Sequence, residues 1–351
     1  MLHRFPRPYI AALLVITWHV AIIDSRAQIQ RLELSLPTEN RAIFGPDPSR
    51  FYMYTNRSFE GRRSKPWQGG KFGYVRTPKR TTAGVLFTQF HEGIDIRPST
   101  RDRNNNPLDP VRSIAAGRVV HVSSLAGASN YGRYIVIEHD WGYGKFYSLY
   151  AHLAAVSCRS GQTVRPGTAI GKLGYSGAGI DRTRSHLHLE LNMMVSPRFA
   201  QWYRQHFTSP NRHGPYNGLN LVGLDIAGLY LSHQRNPSIT IPQFMSGMQV
   251  YWKVLIANKG TPELLKLYPW LARNMADADA NPSWEISLSS SGVPLGVAPS
   301  TKSVKSPTLS WVTYSPTPHA WNTRSRLSGS KDSASLTASG RRYIQQISGH
   351  F

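Results

Sequence analysis

The chain has 351 residues, with 41 Lys and Arg against 19 Asp and Glu, a formal charge of +22 at pH 7. Such an excess attracts anionic polymers through a long-range field, but the basic residues are dispersed (Arg57, Arg62, Arg63, Lys65, Lys71, Arg76, Lys79, Arg80 and onward) with no recognisable nucleic-acid module, which argues against nucleic acid as the partner. The single cysteine, Cys158, excludes an internal disulfide framework and a structural zinc site built from several thiolates.

At the amino terminus Arg4 and Arg7 precede an apolar run from Tyr9 to Ile23, followed by Ser25-Arg26-Ala27 with small residues where a signal peptidase reads. Residues 1–27 are therefore expected to be a signal peptide cleaved after Ala27. The run is shorter than the roughly 20 residues of a membrane span and is interrupted by His19, so an uncleaved anchor is the alternative. No cysteine stands at the cleavage point, which argues against a lipoprotein, and the mature chain is expected in the periplasm or outside the cell. Removing three arginines (Arg4, Arg7, Arg26) and one aspartate (Asp24) would leave +20. For an exported chain of that charge the polymers at hand are those of the cell envelope.

Residues 28–83 read as amino-terminal strands and loops: Phe51-Tyr52-Met53-Tyr54 and the turn-rich stretch from Trp67 to Tyr74 look like short strands leading into a larger sheet. The chemistry begins at His91-Glu92-Gly93-Ile94-Asp95. Gly93 and the β-branched Ile94 and Ile96 argue against helix, and Arg97-Pro98 closes the segment. In an extended stretch His91 and Asp95 share one face while Ile94 and Ile96 turn to a core. A polar loop from Thr100 to Pro110 follows. The run Gly144 to Leu153 reads as a strand with Phe146, Ser148, Tyr150 and His152 on one face; if that face looks into a metal groove, Tyr150 is a candidate wall or hydrogen-bond donor. Gly161, Pro166-Gly167, Gly171, Gly174 and Gly177 punctuate apolar pairs in the pattern of hairpins in a compact antiparallel sheet.

In His186-Leu187-His188-Leu189-Glu190 the two imidazoles and the glutamate share a face, and Leu187, Leu189 and Leu191 form an apolar row on the other. Two imidazoles and one carboxylate from these two motifs make a three-ligand zinc site with its fourth position left for water, the arrangement of a catalytic site. Spacing alone leaves open whether His186 or His188 is the ligand. Glu190 is a candidate to orient a ligand; Glu92 and Arg97 have weaker claims, with surface or edge roles as the default.

These motifs, with Gly117-Arg118-Val119-Val120, the stretch Tyr131-Gly132 to His139, Tyr150 to Leu153 and the turn series Gly161 to Gly177, resemble in order and spacing the lysostaphin-type, LytM-like (Duplicated hybrid motif) zinc metalloendopeptidases, which cut the peptide part of bacterial cell walls. The resemblance covers about residues 84–195. It implies one Zn2+ per chain held by His91, Asp95 and His188, His152 and His186 as catalytic imidazoles, and peptidoglycan peptides as substrate. One stretch departs: the family usually has small residues and a proline before the His-Leu-His pair, where this chain has Asp181-Arg182-Thr183-Arg184-Ser185, which bears on substrate preference.

After residue 195, Pro197 to Phe207 and Pro242 to Ala257 read as helices, Thr261-Pro262-Glu263 as the start of a helix running to Asn274, and Gly218 to Ser232 as strand-rich. From Pro282 the chain is rich in Ser, Thr and Pro, yet Trp284, Ile286, Leu288, Trp311 to Tyr314 and Tyr343-Ile344 are short β-prone runs, which favours a small β-rich segment over a disordered tail. The fold expected is β-dominated α+β: a compact antiparallel sheet with a metal-bearing groove (84–195), a helix-containing extension (196–281) and a β-rich or partly disordered carboxy-terminal segment (282–351). The leading function is a secreted zinc endopeptidase acting on peptidoglycan stem peptides or cross-bridges. The alternatives are an idle relative that regulates another wall hydrolase, disfavoured because all five expected site residues are present, and a non-haem iron oxygenase, which also uses two histidines and a carboxylate.

Overall fold

The structure, a computed structural model, describes residues 31–351; the expected signal peptide lies outside the described residues. The alternation read in the sequence builds the central sheet. Its strands are all antiparallel, in the spatial order Thr163–Val164, Gly117–Ser123, Tyr134–Asp140, Lys145–Ala151, Leu187–Met194 and Leu221–Leu224, with Ile94–Ile96 also bonded to Leu187–Met194. One face presents Leu187, Leu189, Leu191, Phe146, Tyr150, Ile135 and Ile137 to the main core. The other carries a smaller cluster of Tyr134, Val136, Tyr147, Leu149, Ala151, Met194 and Leu221. Because side chains alternate, His188, Glu190 and Asn192 lie on this second face.

A second antiparallel sheet of four strands, Pro294–Ser300, Ser283–Leu288, Trp252–Ala257 and Thr308–Val312, occupies the carboxy-terminal half. The β-dominated α+β reading with a β-rich carboxy-terminal segment is the fold observed. Trp252, Trp284, Ile286 and Ile344 belong to the same buried cluster as Leu187 and Ile94, so the two sheets share one core. Trp252 is fully buried at 0% exposure, with its indole N–H donated to the Ser289 carbonyl at 3.0 Å. Trp252→Ala is expected to destabilise the protein by about 3–5 kcal/mol, because the cavity adds to the lost transfer energy. Urea unfolding should show a lower midpoint at nearly unchanged slope.

Several local expectations are corrected. Pro242 to Ala257 is not one helix: Thr240 and Gln243 form a capping box for the short helix Ile241–Ser246, and the run from Trp252 is a strand. Its Val254, Leu255 and Ile256 are buried between two neighbouring strands, and that packing overrides a helical reading. Gly218 to Ser232 yields only the strand Leu221–Leu224, since Asp225 caps the helix Ile226–Arg235 by accepting from the Gly228 N–H. The helix expected from Thr261 to Asn274 is confined to Glu263–Leu267, with Pro262 rather than Thr261 at its N-cap and Pro269 beginning a separate 3-10 turn. Tyr343 and Ile344 lie in the helix Ala338–Ser348, capped by Thr337 and ended by Gly349 at φ 76°. Of the expected early strands, Tyr52 makes a single bridge to Ile96, and Trp67–Gly70 is a 3-10 turn ahead of the hairpin Gly73–Thr81/Gly84–His91.

Candidate metal centre

Three elements deliver the site. The extended stretch expected from His91 to Asp95 is broken: His91 ends the strand Gly84–His91, the chain bends at Glu92-Gly93, and Asp95 sits in Ile94–Ile96. Gly93 permits this bend beside the central strand, because a Cβ there would collide with the Leu189 carbonyl. Register then places Asp95 opposite His188, with Ala151 opposite His188 on its other side. A slip of one residue would turn every one of these side chains to the wrong face.

Asp95 Oδ1 lies 3.2 Å from His91 Nε2 and 3.0 Å from His188 Nδ1, and these two nitrogens are 3.2 Å apart. Bonds of about 2.0–2.1 Å in a tetrahedron separate ligand atoms by roughly 3.3 Å, so this triangle has the size of one face of a zinc site. The rings are also aimed. A carbonyl or carboxylate oxygen only accepts, so His91 Nδ1 donates to the Lys71 carbonyl at 2.8 Å, and His188 Nε2 to Glu190 Oε1 at 2.9 Å. That leaves His91 Nε2 and His188 Nδ1 as the ring nitrogens facing the centre. Glu190 is held in turn by the Tyr131 hydroxyl at 2.8 Å and Asn192 Nδ2 at 2.9 Å. Arg76 Nη2 grips Asp95 Oδ2 at 2.6 Å while its Nε donates to the Gly69 carbonyl at 2.9 Å, leaving Oδ1 to the cluster.

Two further imidazoles stand beside the triangle. His186 Nδ1 donates to the Arg184 carbonyl at 2.6 Å, with its Nε2 3.4 Å from Asp95 Oδ1. His152 Nδ1 donates to the Ser176 carbonyl at 2.9 Å, and its ring lies 4.9 Å from that of His186. His152 does not share the face of Tyr150 as expected. Its φ of +62° departs from the extended backbone of its strand, and the ring lines the groove while Tyr150 stays in the core. There the Tyr150 hydroxyl accepts the Ile114 N–H at 2.9 Å, so it is neither groove wall nor groove donor. A positive φ at a non-glycine residue costs of order 1–3 kcal/mol and persists only where the surroundings enforce it.

Burial and neighbouring charge set the protonation states. Burial and the neighbouring His186 and His188 push His152 down to about 3, and burial likewise lowers His91. Burial works against a charge on Asp95, but the imidazoles of His91, His186 and His188 hold it well below the usual carboxylate range. Burial also opposes charge on His188, yet the hydrogen bonds to Asp95 and Glu190 prevail and raise it to about 10.

Residues 89–198 match the family described as peptidase family M23. Over that stretch the chain is similar to the M23 peptidases. Among solved structures, a mutant catalytic domain of a prophage-encoded M23 protein of Enterococcus faecalis is 25% identical over 30% of this chain and 70% of its own, with a TM-score of 0.24. A zinc-containing peptidase of Vibrio cholerae is 26% identical over 40% of this chain and 36% of its own, TM-score 0.26. The catalytic domain of the antimicrobial peptidase lysostaphin of Staphylococcus simulans is 25% identical over 36% and 82%, TM-score 0.24. No curated protein matches the sequence.

The triangle and the two further imidazoles line a groove of about 870 Å³. It brings together His91, Asp95, His152, His186, His188 and Glu190. Arg97 lies elsewhere, in a separate pocket with Arg41, Arg50 and Arg101. Glu92 lines the groove but pairs with Arg324 at 2.5 Å, whose guanidinium also lies 5.4 Å over the Phe90 ring. Arg76 and Asn192 were not foreseen. Nothing local in the sequence marks Arg76, whose partners are Asp95 on another strand and the Gly69 carbonyl, whereas Asn192 continues the alternation of His188 and Glu190 on one strand.

Proposed function

We propose that the chain is an exported zinc metalloendopeptidase that hydrolyses peptide bonds in peptidoglycan stem peptides or cross-bridges. The observation that carries this is the triangle of His91 Nε2, Asp95 Oδ1 and His188 Nδ1 with two unspent imidazoles in the same groove of an M23 peptidase domain. His91, Asp95 and His188 would hold the ion; bound there, zinc supplies a Lewis acid for the scissile carbonyl and lowers the pKa of a water toward about 7. His152 and His186 have their Nδ1 protons committed to carbonyls, so each offers a bare Nε2. A bare Nε2 suits accepting the proton of the attacking water; the same ring, once protonated, becomes a donor to the tetrahedral oxygen and then to the leaving amine. Tyr131 is committed to Glu190 and does not enter this scheme as a free donor. The resemblance to cell-wall endopeptidases and the +22 charge support an envelope polymer as substrate. Among the described residues no helix is long and apolar enough to cross a membrane.

The test is metal analysis of the purified chain together with digestion of cell-wall sacculi. The expected result is one zinc per chain and new amino termini in the released muropeptides; a zinc-loaded protein that releases none fails the proposal, as an idle regulator would. A pH dependence follows from His188. The ion needs the neutral ring, and in the metal-free site the proton is held up to a pKa of about 10. Zinc must displace that proton, so apparent affinity should fall by about tenfold for each unit of pH below that value, and activity should fall with it in acid. Chelator competition between pH 6 and 9 measures the slope, and a flat profile would show that His188 is not held protonated in the metal-free site.

A further inference from the structure

The loop before His186, where the chain departs from its family, is pinned. Arg101 Nη1 donates to Ser185 Oγ at 2.8 Å and to the Arg182 carbonyl at 3.0 Å, while Asp181 Oδ1 accepts the Arg184 N–H at 2.8 Å. On this fixed loop the half-buried Arg184 lines the groove, and its Nε is buried with no hydrogen-bond partner among the described residues. Its Nη1 makes only a 3.5 Å contact with the Gly179 carbonyl, and its guanidinium sits 6.0 Å over the Tyr54 ring. Arg212 lines the same groove from the segment after the helix Phe199–His206.

The carboxylates of the groove are already taken. Asp95 is engaged by Arg76 and the histidines, Glu190 by His188, Tyr131 and Asn192, and Glu92 by Arg324. Among the described residues no carboxylate within salt-bridge distance answers Arg184 or Arg212. A guanidinium with an unused N–H beside a peptide-cutting centre is a fork for a planar anion, and the planar anion of a peptide is its carboxylate.

We propose that Arg184, with Arg212 adding charge, binds a free carboxylate of the substrate peptide and makes the protein selective for acidic over amidated stem peptides. The assignment rests on the peptidase reading above for its substrate. Two cross-linked stem peptides identify it, identical except that the stem carboxylates are free in one and carboxamides in the other. Hydrolysis is followed with the zinc-loaded full chain, and binding by calorimetry with the metal-free full chain. The wild type is expected to bind and cleave the free-acid peptide better by roughly ten- to a hundredfold. Arg184→Gln should bring the two peptides within a few-fold of each other by loss on the acid peptide alone, the amidated peptide reporting that the fold is intact. Arg184→Lys should retain part of the preference, keeping charge without the fork. Equal treatment of both peptides by the wild type, binding of neither, or an unchanged ratio in Arg184→Gln would overturn the assignment. Preference in binding without hydrolysis of either peptide would sink the peptidase reading and leave Arg184 as a carboxylate site.

Discussion

His188→Ala is expected to cost metal and turnover together. The ring supplies one of three candidate ligand atoms, and its other nitrogen is braced by Glu190 at 2.9 Å. Removing it leaves His91 and Asp95, two protein ligands where a catalytic zinc usually has three. The affinity loss should exceed the roughly 10–100-fold that follows loss of an outer partner of a ligand. Glu190→Gln supplies that smaller figure as an internal scale, because the amide oxygen can still accept from His188 but carries no charge. Equilibrium dialysis against zinc checks both. Full zinc occupancy in His188→Ala would overturn the ligand assignment.

The second large effect separates chemistry from metal. His152→Ala should keep zinc at wild-type occupancy and lower turnover by about 10²–10⁴-fold, the range for removal of a positioned acid–base group. His186→Ala should behave alike, and the double variant should lose far less than the product of the two, since groups acting on the same proton are not additive. Zinc content and kcat on one released muropeptide decide this. Loss of zinc from His152→Ala would place that ring among the ligands instead.

The shared face of His186, His188 and Glu190 was legible because it rests on strand alternation and on leucines that must be buried, both written into consecutive residues; His91 and Asp95 meet instead through the bend at Glu92-Gly93. What was not legible comes from outside each strand. Arg76 reaches Asp95 only because the hairpin Gly73–Thr81/Gly84–His91 folds back on itself, and Lys71 and Ser176 contribute carbonyls, which leave no side-chain signature. His152 was found by resemblance, but its direction was misread, because extended geometry was assumed where φ is +62°. The fold shows the same division. The central sheet follows its pattern, whereas Trp252 to Ala257 was read as helix because its apolar run is buried on both sides and so lacks the alternation that marks a strand. At Tyr343 the cap that decides for helix, Thr337, stands six residues ahead of the Tyr343-Ile344 pair that suggested a strand.

The Arg324–Glu92 pair ties the last part of the chain to the residue beside His91, and the buried cluster from Ile94 to Ile344 makes the two sheets a single body. Segments joined in this way open together rather than one at a time. Proteolytic clipping after Val312 would therefore take away Arg324 and the helix Ala338–Ser348, expose the core beneath them, and slacken the bend that sets His91 against Asp95. Trimming at the carboxy terminus is therefore expected to loosen the candidate metal centre from a distance.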